Sequence, residues 1–337
     1  MRIAVDANGA DLGPAEVAAG AAMAAAQGGV TPVLFGPADA IGEVSEGVEV
    51  VDAPVSIAKA AEPASAVRGA PEASIVQAAM AVSNGDCDAW VTGGSTGSAV
   101  AAGLFHIKRA KGIYRPALAL PIPVPGAPVT LVDVGANVEC RPEHLLQFAH
   151  MGAALAQIVL GVESPRVGLL SIGEEASKGT PLVQETHALL ADSAGLRFVG
   201  NVEGTDLTSG AADVVVTDGF VGNIALKLME GTSQAIVNAI RERAMSSTRA
   251  KLGGALLRPA LRAFREEIDP EGPGGAYLLG LRRLGVVPHG RFTRYGISQA
   301  ILLAARGAGG DVVGRTHATL EAAGALRRIP AATVPER

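Results

Sequence analysis

The stretch VVVTDGFVGNIALKLMEG, residues 214–231, starts as a β-branched run, breaks at glycines and resumes with helical spacing around one asparagine and one lysine. Asp213–Thr217 reads as a buried strand, Asp218–Gly222 as a turn, and Asn223 as the N-cap of a helix over Ile224–Glu230. Asn223 and Lys227 are four positions apart and share one helix face. A helix N-terminus offers unpaired N–H groups to an anion, glycines let the backbone come close, and a lysine one turn inside adds positive charge. The stretch suits a phosphate oxygen. A tight turn followed by a solvated lysine is the plainer reading of the same residues.

The same grammar recurs outward in both directions. RIAVDANG (2–9), AWVTGG (89–94), TLVDVGAN (130–137), VGLLSIGEE (167–175) and RFVGN (197–201) are apolar runs that end in a Gly, Asp or Asn turn before a helical stretch. Strands that are apolar throughout and alternate with helices predict an α/β fold, a mostly parallel sheet with helices on both faces. Ligands of such sheets sit beyond the carboxyl ends of strands, so the glycine-rich loops are expected to meet along one edge of the sheet. The expected organisation is a single catalytic unit over residues 1–325, an inserted basic amphipathic helical segment over 240–268, and a flexible tail over 326–337.

Several loops carry polar groups suited to an anion. TGGSTGSAV (92–100) supplies Gly94, Ser95, Thr96 and Gly97 at a helix start; the loop over 171–180 brings Lys178 beside Gly179; the turns at 133–139 and 200–206 bring Asn137 and Asn201. None of them is a Walker A or GxGxxG match, so nucleotide binding has little support. Gly93–Gly97 does satisfy the GxSxG pattern of a nucleophile elbow, with Asp218 and His289 following in hydrolase order, and a serine hydrolase using Ser95 is one alternative.

Composition narrows the field further. The 337 residues are 48% hydrophobic and 18% charged, enough for a sizeable core, and the mean hydropathy of +0.31 comes largely from alanine. The net charge of −5 argues against a nucleic-acid binder, which needs clustered positive charge. Cys87 and Cys140, the two cysteines, have no CxxC or Cys/His ligand spacing, so neither a disulfide framework nor a metal site is expected. The N-terminus meets Asp6 with no apolar run before it and reads as a first strand, which points to a cytoplasmic protein. Charge is unevenly spread: Arg241–Arg265 holds seven basic residues against the single acid Glu242. Leu252, Leu256 and Ala263 alternate there with Arg249, Lys251, Arg258, Arg262 and Arg265, and Pro259 is expected to end or kink the helix. An anionic membrane surface or an acidic protein would suit residues 249–265; a dimer-packing helix pair with a solvated basic face is the plainer reading.

VDANGADLGP, TGGSTGSA, DVGANVE, GLLSIGEEASKGT, FVGNVEGTD, the 214–231 stretch, KLGGALLRPALR and GGAYLLG followed by VVPHG resemble, in order and spacing, the bacterial phosphate acyltransferase family PlsX. The resemblance runs from Arg2 to about Gly310. It implies transfer of a fatty acyl group from acyl carrier protein to inorganic phosphate, giving acyl-phosphate for phospholipid synthesis. It also implies a homodimer, a fold like the isocitrate and isopropylmalate dehydrogenases and phosphotransacetylases, peripheral membrane association and no cofactor. The chain departs from the usual pattern at ANGAD (7–11), at Ser95 where the family carries asparagine, and at HGRF (289–292) where it carries HGSS. An asparagine at position 95 could not form an acyl-enzyme, so direct attack by phosphate is expected; a non-catalytic module that senses acyl chains or acyl carrier protein is a further alternative, although it would not need the anion cradle. Lys227, Asn223, Asp218 and Lys178 are the candidate catalytic residues. Gly94, Ser95, Thr96, Gly97, Asn137, Gly222, Asn201 and His289 are the candidate binding residues.

Overall fold

The computed structural model describes residues 1–327; most of the expected tail lies outside the described residues. Its start is anchored, because the Arg327 N–H donates to the Gly112 carbonyl. Eleven strands form one sheet: β1 (Arg2–Asp6), β2 (Thr31–Gly36), β3 (Glu49–Asp52), β4 (Ala89–Thr92), β5 (Ala117–Ile122), β6 (Val129–Val132), β7 (Arg166–Leu170), β8 (Arg197–Val202), β9 (Val214–Val216), β10 (Ala276–Leu279) and β11 (Leu284–Val287). The helices are α1 (Pro14–Ala25), α2 (Ala38–Ile41), α3 (Pro63–Gly69), α4 (Ser74–Asn84), α5 (Thr96–Ala102), α6 (Pro142–Val159), α7 (Pro181–Ala191), α8 (Gly219–Met245), α9 (Thr248–Glu267), α10 (Arg294–Gly309) and α11 (Val312–Ala322).

The apolar runs are strands because both of their faces are covered. Along β9, Val214 and Val216 enter one core while Val215 enters the other. In β4, Ala89 and Val91 face the first core and Trp90, fully buried, faces the second. This two-residue alternation between two apolar layers leaves no polar face for the sequence to mark.

Strand order is β3-β2-β1-β4-β11-β10-β5-β6-β9-β7-β8. The block from β3 to β11 is parallel, and so is the block from β6 to β8. Between them β10 runs against both β11 and β5, and β5 runs against β6. Three reversals leave the two parallel blocks pointing in opposite directions. The loops after β1, β4 and β11 therefore open at one end of the sheet and those after β6, β7, β8 and β9 at the other. This corrects the expectation of a single common edge: an apolar strand reads the same in either direction.

Helix α8 is also longer than expected. It begins at Gly219 and is capped by Asp218, whose Oδ1 accepts from the Phe220 and Val221 N–H groups at 2.9 Å. Asn223, the expected N-cap, lies inside the helix. Only Gly219 and Gly222 of α8 are buried, and no residue of α9 is. The two helices form a hairpin standing out from the sheet, broader than the expected 240–268 segment, and α9 continues through Pro259. No helix among the described residues is long and apolar enough to cross a membrane.

Candidate active site

Three loops converge where β1, β4 and β11 end. The Asp11 N–H donates to the Gly290 carbonyl at 2.8 Å. A Cβ on Gly290 would lie 3.0 Å from the Gly93 carbonyl oxygen and 3.1 Å from Asp11 Oδ2, and one on Gly9 would lie 2.9 Å from the Gly94 nitrogen. These backbones touch, which only glycine permits. Ser95 caps α5, its Oγ accepting from the Ser98 N–H and lying 2.9 Å from Ser98 Oγ. The N–H groups of Thr96 and Gly97 sit in the first turn of α5, where no helical carbonyl precedes them, and Ser95, Thr96 and Gly97 are exposed. Gly94 differs: its N–H is taken by Thr92 Oγ1 at 3.1 Å.

Beneath this turn lies a group that the sequence reading did not single out. Asp6 is 2% exposed and accepts from Ser74 Oγ at 2.6 Å, Thr92 Oγ1 at 2.7 Å and the Asn8 N–H at 3.2 Å. Burial pushes its carboxyl above the usual range, against those three donors. Because Thr92 gives its proton to Asp6, its lone pair is fixed toward the Gly94 N–H. The readable signal was a carboxylate ending an otherwise apolar first strand.

Helix α8 brings charge to the same loops. Lys227 Nζ lies 2.9 Å from Glu230 Oε2, and Arg291 Nη2 approaches the same oxygen at 3.8 Å. His289 is half-buried, and its pKa is held below the ordinary histidine value first by burial and then by the Lys227 and Arg291 charges, with Glu230 and Asp11 opposing. Lys227, His289, Asp11 and the Gly93–Gly97 turn thus form one neighbourhood.

At the foot of α8 the polar residues have a different task. Asp133 is fully buried and accepts from the N–H groups of Leu118, Gly135, Ala136 and Asn137 and from Asn137 Nδ2, at 2.8–3.1 Å. Asn137 Nδ2 also donates to the Pro116 carbonyl at 2.7 Å, and the Asn137 carbonyl accepts from the Gly219 N–H at 2.7 Å. The donors of Asn137 are committed to the scaffold instead of being offered to substrate. Gly222 likewise bonds within the helix, its N–H going to the Asp218 carbonyl, and a Cβ there would collide with the Asp133 carbonyl oxygen. Its role is close approach, so that α8 can seat on this turn. Asn223, exposed, lies against Gly135 with its Cβ 3.8 Å from where that residue's Cβ would be. It remains open to a ligand.

Lys178 and Asn201 belong to a third group, at the ends of β7 and β8. Asn201 is buried, its Oδ1 2.9 Å from His187 Nδ1 and its Nδ2 donating to the Glu175 carbonyl at 2.9 Å, so its side chain ties two loops together. Lys178 is exposed in the loop that Asn201 anchors, with its stem against Gly173.

Comparison with known proteins fixes the class. The fold resembles the EutD phosphotransacetylase from Staphylococcus aureus, with a TM-score of 0.59 at 18% identity over 91% of this chain and 94% of that one. A branched-chain phosphotransacylase from Enterococcus faecalis V583 gives a TM-score of 0.57 at 16% identity, covering 91% and 99%. At such identities these likenesses speak for the fold, a large mixed sheet shared with phosphotransacylases. Residues 1–315 match the family described as "Fatty acid synthesis protein". The phosphate acyltransferase of Pelotomaculum thermopropionicum is 42% identical over 310 residues, 90% of each chain, and that of Aquifex aeolicus 40% identical over 312 residues, covering 90% and 92%. The chain is an acyltransferase that uses phosphate, and it belongs to the PlsX phosphate acyltransferase family.

Proposed function

We propose that this enzyme transfers a fatty acyl group from the thioester of an acyl carrier protein to inorganic phosphate, releasing acyl-phosphate for phospholipid synthesis. The observation that supports this most is the placement of Lys227 beside the His289–Gly290 turn, which itself touches the turn that starts α5. A cation, a neutral imidazole and the first-turn N–H groups of Thr96 and Gly97 then sit on adjoining segments, a set of groups suited to an anion.

Phosphate held there attacks the thioester carbonyl carbon directly. A C–O bond forms, the C–S bond breaks, and its electron pair leaves on the carrier's sulfur, which takes up a proton. Lys227 offsets the phosphate charge, and Asn223, four residues away on the same face, donates to the oxyanion that develops on the carbonyl. His289, kept neutral by burial and by its cationic neighbours, is suited to accept the phosphate proton. Asp218 serves by capping the helix that carries both residues, and Lys178 stands exposed in a separate loop after β7.

The serine-hydrolase alternative has weaker footing, because Ser95 Oγ is engaged with Ser98 and bonds to no histidine among the described residues. The amphipathic α8–α9 hairpin suits a homodimer and a peripheral contact with the cytoplasmic membrane surface through residues 249–265. The deciding experiment offers purified enzyme an acyl carrier protein thioester with and without phosphate. Acyl-phosphate formed only with phosphate supports the proposal. Phosphate-independent fatty acid release, abolished by Ser95→Ala and blocked by a fluorophosphonate, overturns it.

A further inference from the structure

A second basic surface lies away from the hairpin. The chain leading into β5 carries Lys108, Arg109, Lys111 and Arg115 with no acid among them, and the turn between β10 and β11 adds Arg282 and Arg283. All six are exposed. Backbone bonds lock the two segments together: Arg282 N–H to the Lys108 carbonyl at 2.9 Å, Ala110 N–H to the Gly280 carbonyl at 3.0 Å, and an antiparallel bridge between Arg109 and Leu281. Arg327 is stitched to the same segment through Gly112. None of these cations enters a salt bridge among the described residues. A rigid, unpaired cluster of positive charge on a chain of net charge −5 is a local reversal of the molecule's field.

Its chemistry differs from that of the hairpin. Helix α9 sets its arginines among exposed Leu252, Leu256, Leu257, Leu261 and Phe264, whereas no large apolar side chain is exposed at residues 104–116, 279–284 or 311–327. Membrane-surface binding needs apolar area to insert as well as charge, and these basic segments have none of their own; exposed Val138, Phe220 and Val221 belong to the adjoining foot of α8. An acidic protein needs only complementary charge at a polar rim.

The geometry points to the surface formed by Lys108–Arg115 and Arg282–Arg283 as the docking face for the acidic carrier domain that delivers the acyl thioester. This rests on the function proposed above. The surface adjoins the foot of α8: Pro116 accepts from Asn137 Nδ2 and Leu118 donates to Asp133, in the turn on which Asn223 rests. A carrier bound there presents its thioester arm at the Asn223 end of the site, while phosphate occupies the Lys227 and His289 end. The two substrates approach from opposite ends of the sheet, as the reversed strand blocks require.

The test is the triple variant Lys111→Glu, Arg282→Glu, Arg283→Glu, whose side chains make no hydrogen bond among the described residues. Binding of purified acyl carrier protein is measured by fluorescence anisotropy, separately from turnover. The expected result is a loss of carrier affinity of about tenfold or more, with the wild-type affinity falling as salt rises and the variant's nearly flat. KM for the carrier thioester rises in step. KM for phosphate and turnover of a small acyl thioester lacking the carrier stay at wild-type values. Unchanged carrier binding overturns the inference, and so does a variant that binds carrier normally but no longer floats with phosphatidylglycerol vesicles, which would make the surface a membrane contact. If wild-type enzyme binds the carrier through this surface yet forms no acyl-phosphate from it, the docking inference stands and the proposed reaction fails.

Discussion

The turn after β6 and the turn after β4 look alike as sequences. DVGAN and TGGSTG are both short, polar and rich in glycine, and each follows a buried strand. In the structure they do opposite work. Asp133 gathers five N–H donors, and Asn137 spends its amide and carbonyl on neighbouring backbone, so the first turn is closed on itself. The second has one N–H tied down, at Gly94, and leaves those of Thr96 and Gly97 in the open first turn of α5. Hydrogen-bond accounting, and not composition, separates a turn closed on itself from one with N–H groups left for a ligand.

The sharpest way to break this comparison is to push a side chain into the closed turn. Gly222→Ala should drive a methyl group into the Asp133 carbonyl and destabilise the fold by about 3 kcal/mol or more, read as a lower denaturant midpoint. A stable Gly222→Ala enzyme would mean that α8 is not seated on this turn. Next in size, Lys227→Ala and Asn223→Ala should each cut kcat/KM on the order of 100-fold while leaving thermal stability unchanged, since both side chains are exposed. Near-normal rates would remove them from the chemistry.

Thr92→Val should cost about 2 kcal/mol, because Asp6 loses a donor and the Gly94 N–H its acceptor in a buried network. Its KM for phosphate should rise as the turn loosens. A smaller effect is expected for pH. His289 protonates below the ordinary histidine value, so the acid limb of the rate profile should lie below pH 6.5, the usual value, and Glu230→Gln should move it further down, since Glu230 raises the His289 pKa. Smallest is Ser95: removing its cap with Ser95→Ala should cost about 1 kcal/mol, and Ser95→Asn, which keeps an N-capping side chain, should be close to neutral in stability and rate.

Much of the fold was legible before any coordinates. The apolar runs at 2–6, 89–92, 166–170 and 214–216 are strands, and a helix follows the turn after each of β1, β4, β7 and β9. Strand direction was not legible, because Val214–Val216 is equally apolar whichever way its neighbours run. The helix start at Asp218 was missed for a related reason. Two glycines inside a first turn look like a loop unless one knows that Asp133 stands where a Cβ would go. The site was half visible: Lys227, Asn223, Ser95 and Thr96 fall where a ligand can reach them, whereas Asn137 and Asn201 are of a residue type that scaffold turns use equally. Asp6 and the Lys108–Arg115 surface escaped notice because one is a single buried charge and the other is assembled from segments about 170 residues apart in the chain.

The outstanding hairpin has a mechanical consequence. Helix α8 is 27 residues long, about 40 Å, seated along its first three turns by two buried glycines and by partly buried Ala225, Leu226 and Met229, with its outer turns standing clear of the sheet. Lys227 lies inside that seated stretch, about 3 Å short of Met229 along the axis, so a swing of the outer turns pivots beyond the lysine. Whatever clasps the far end of this rod therefore leaves the aim of the charge at its near end undisturbed.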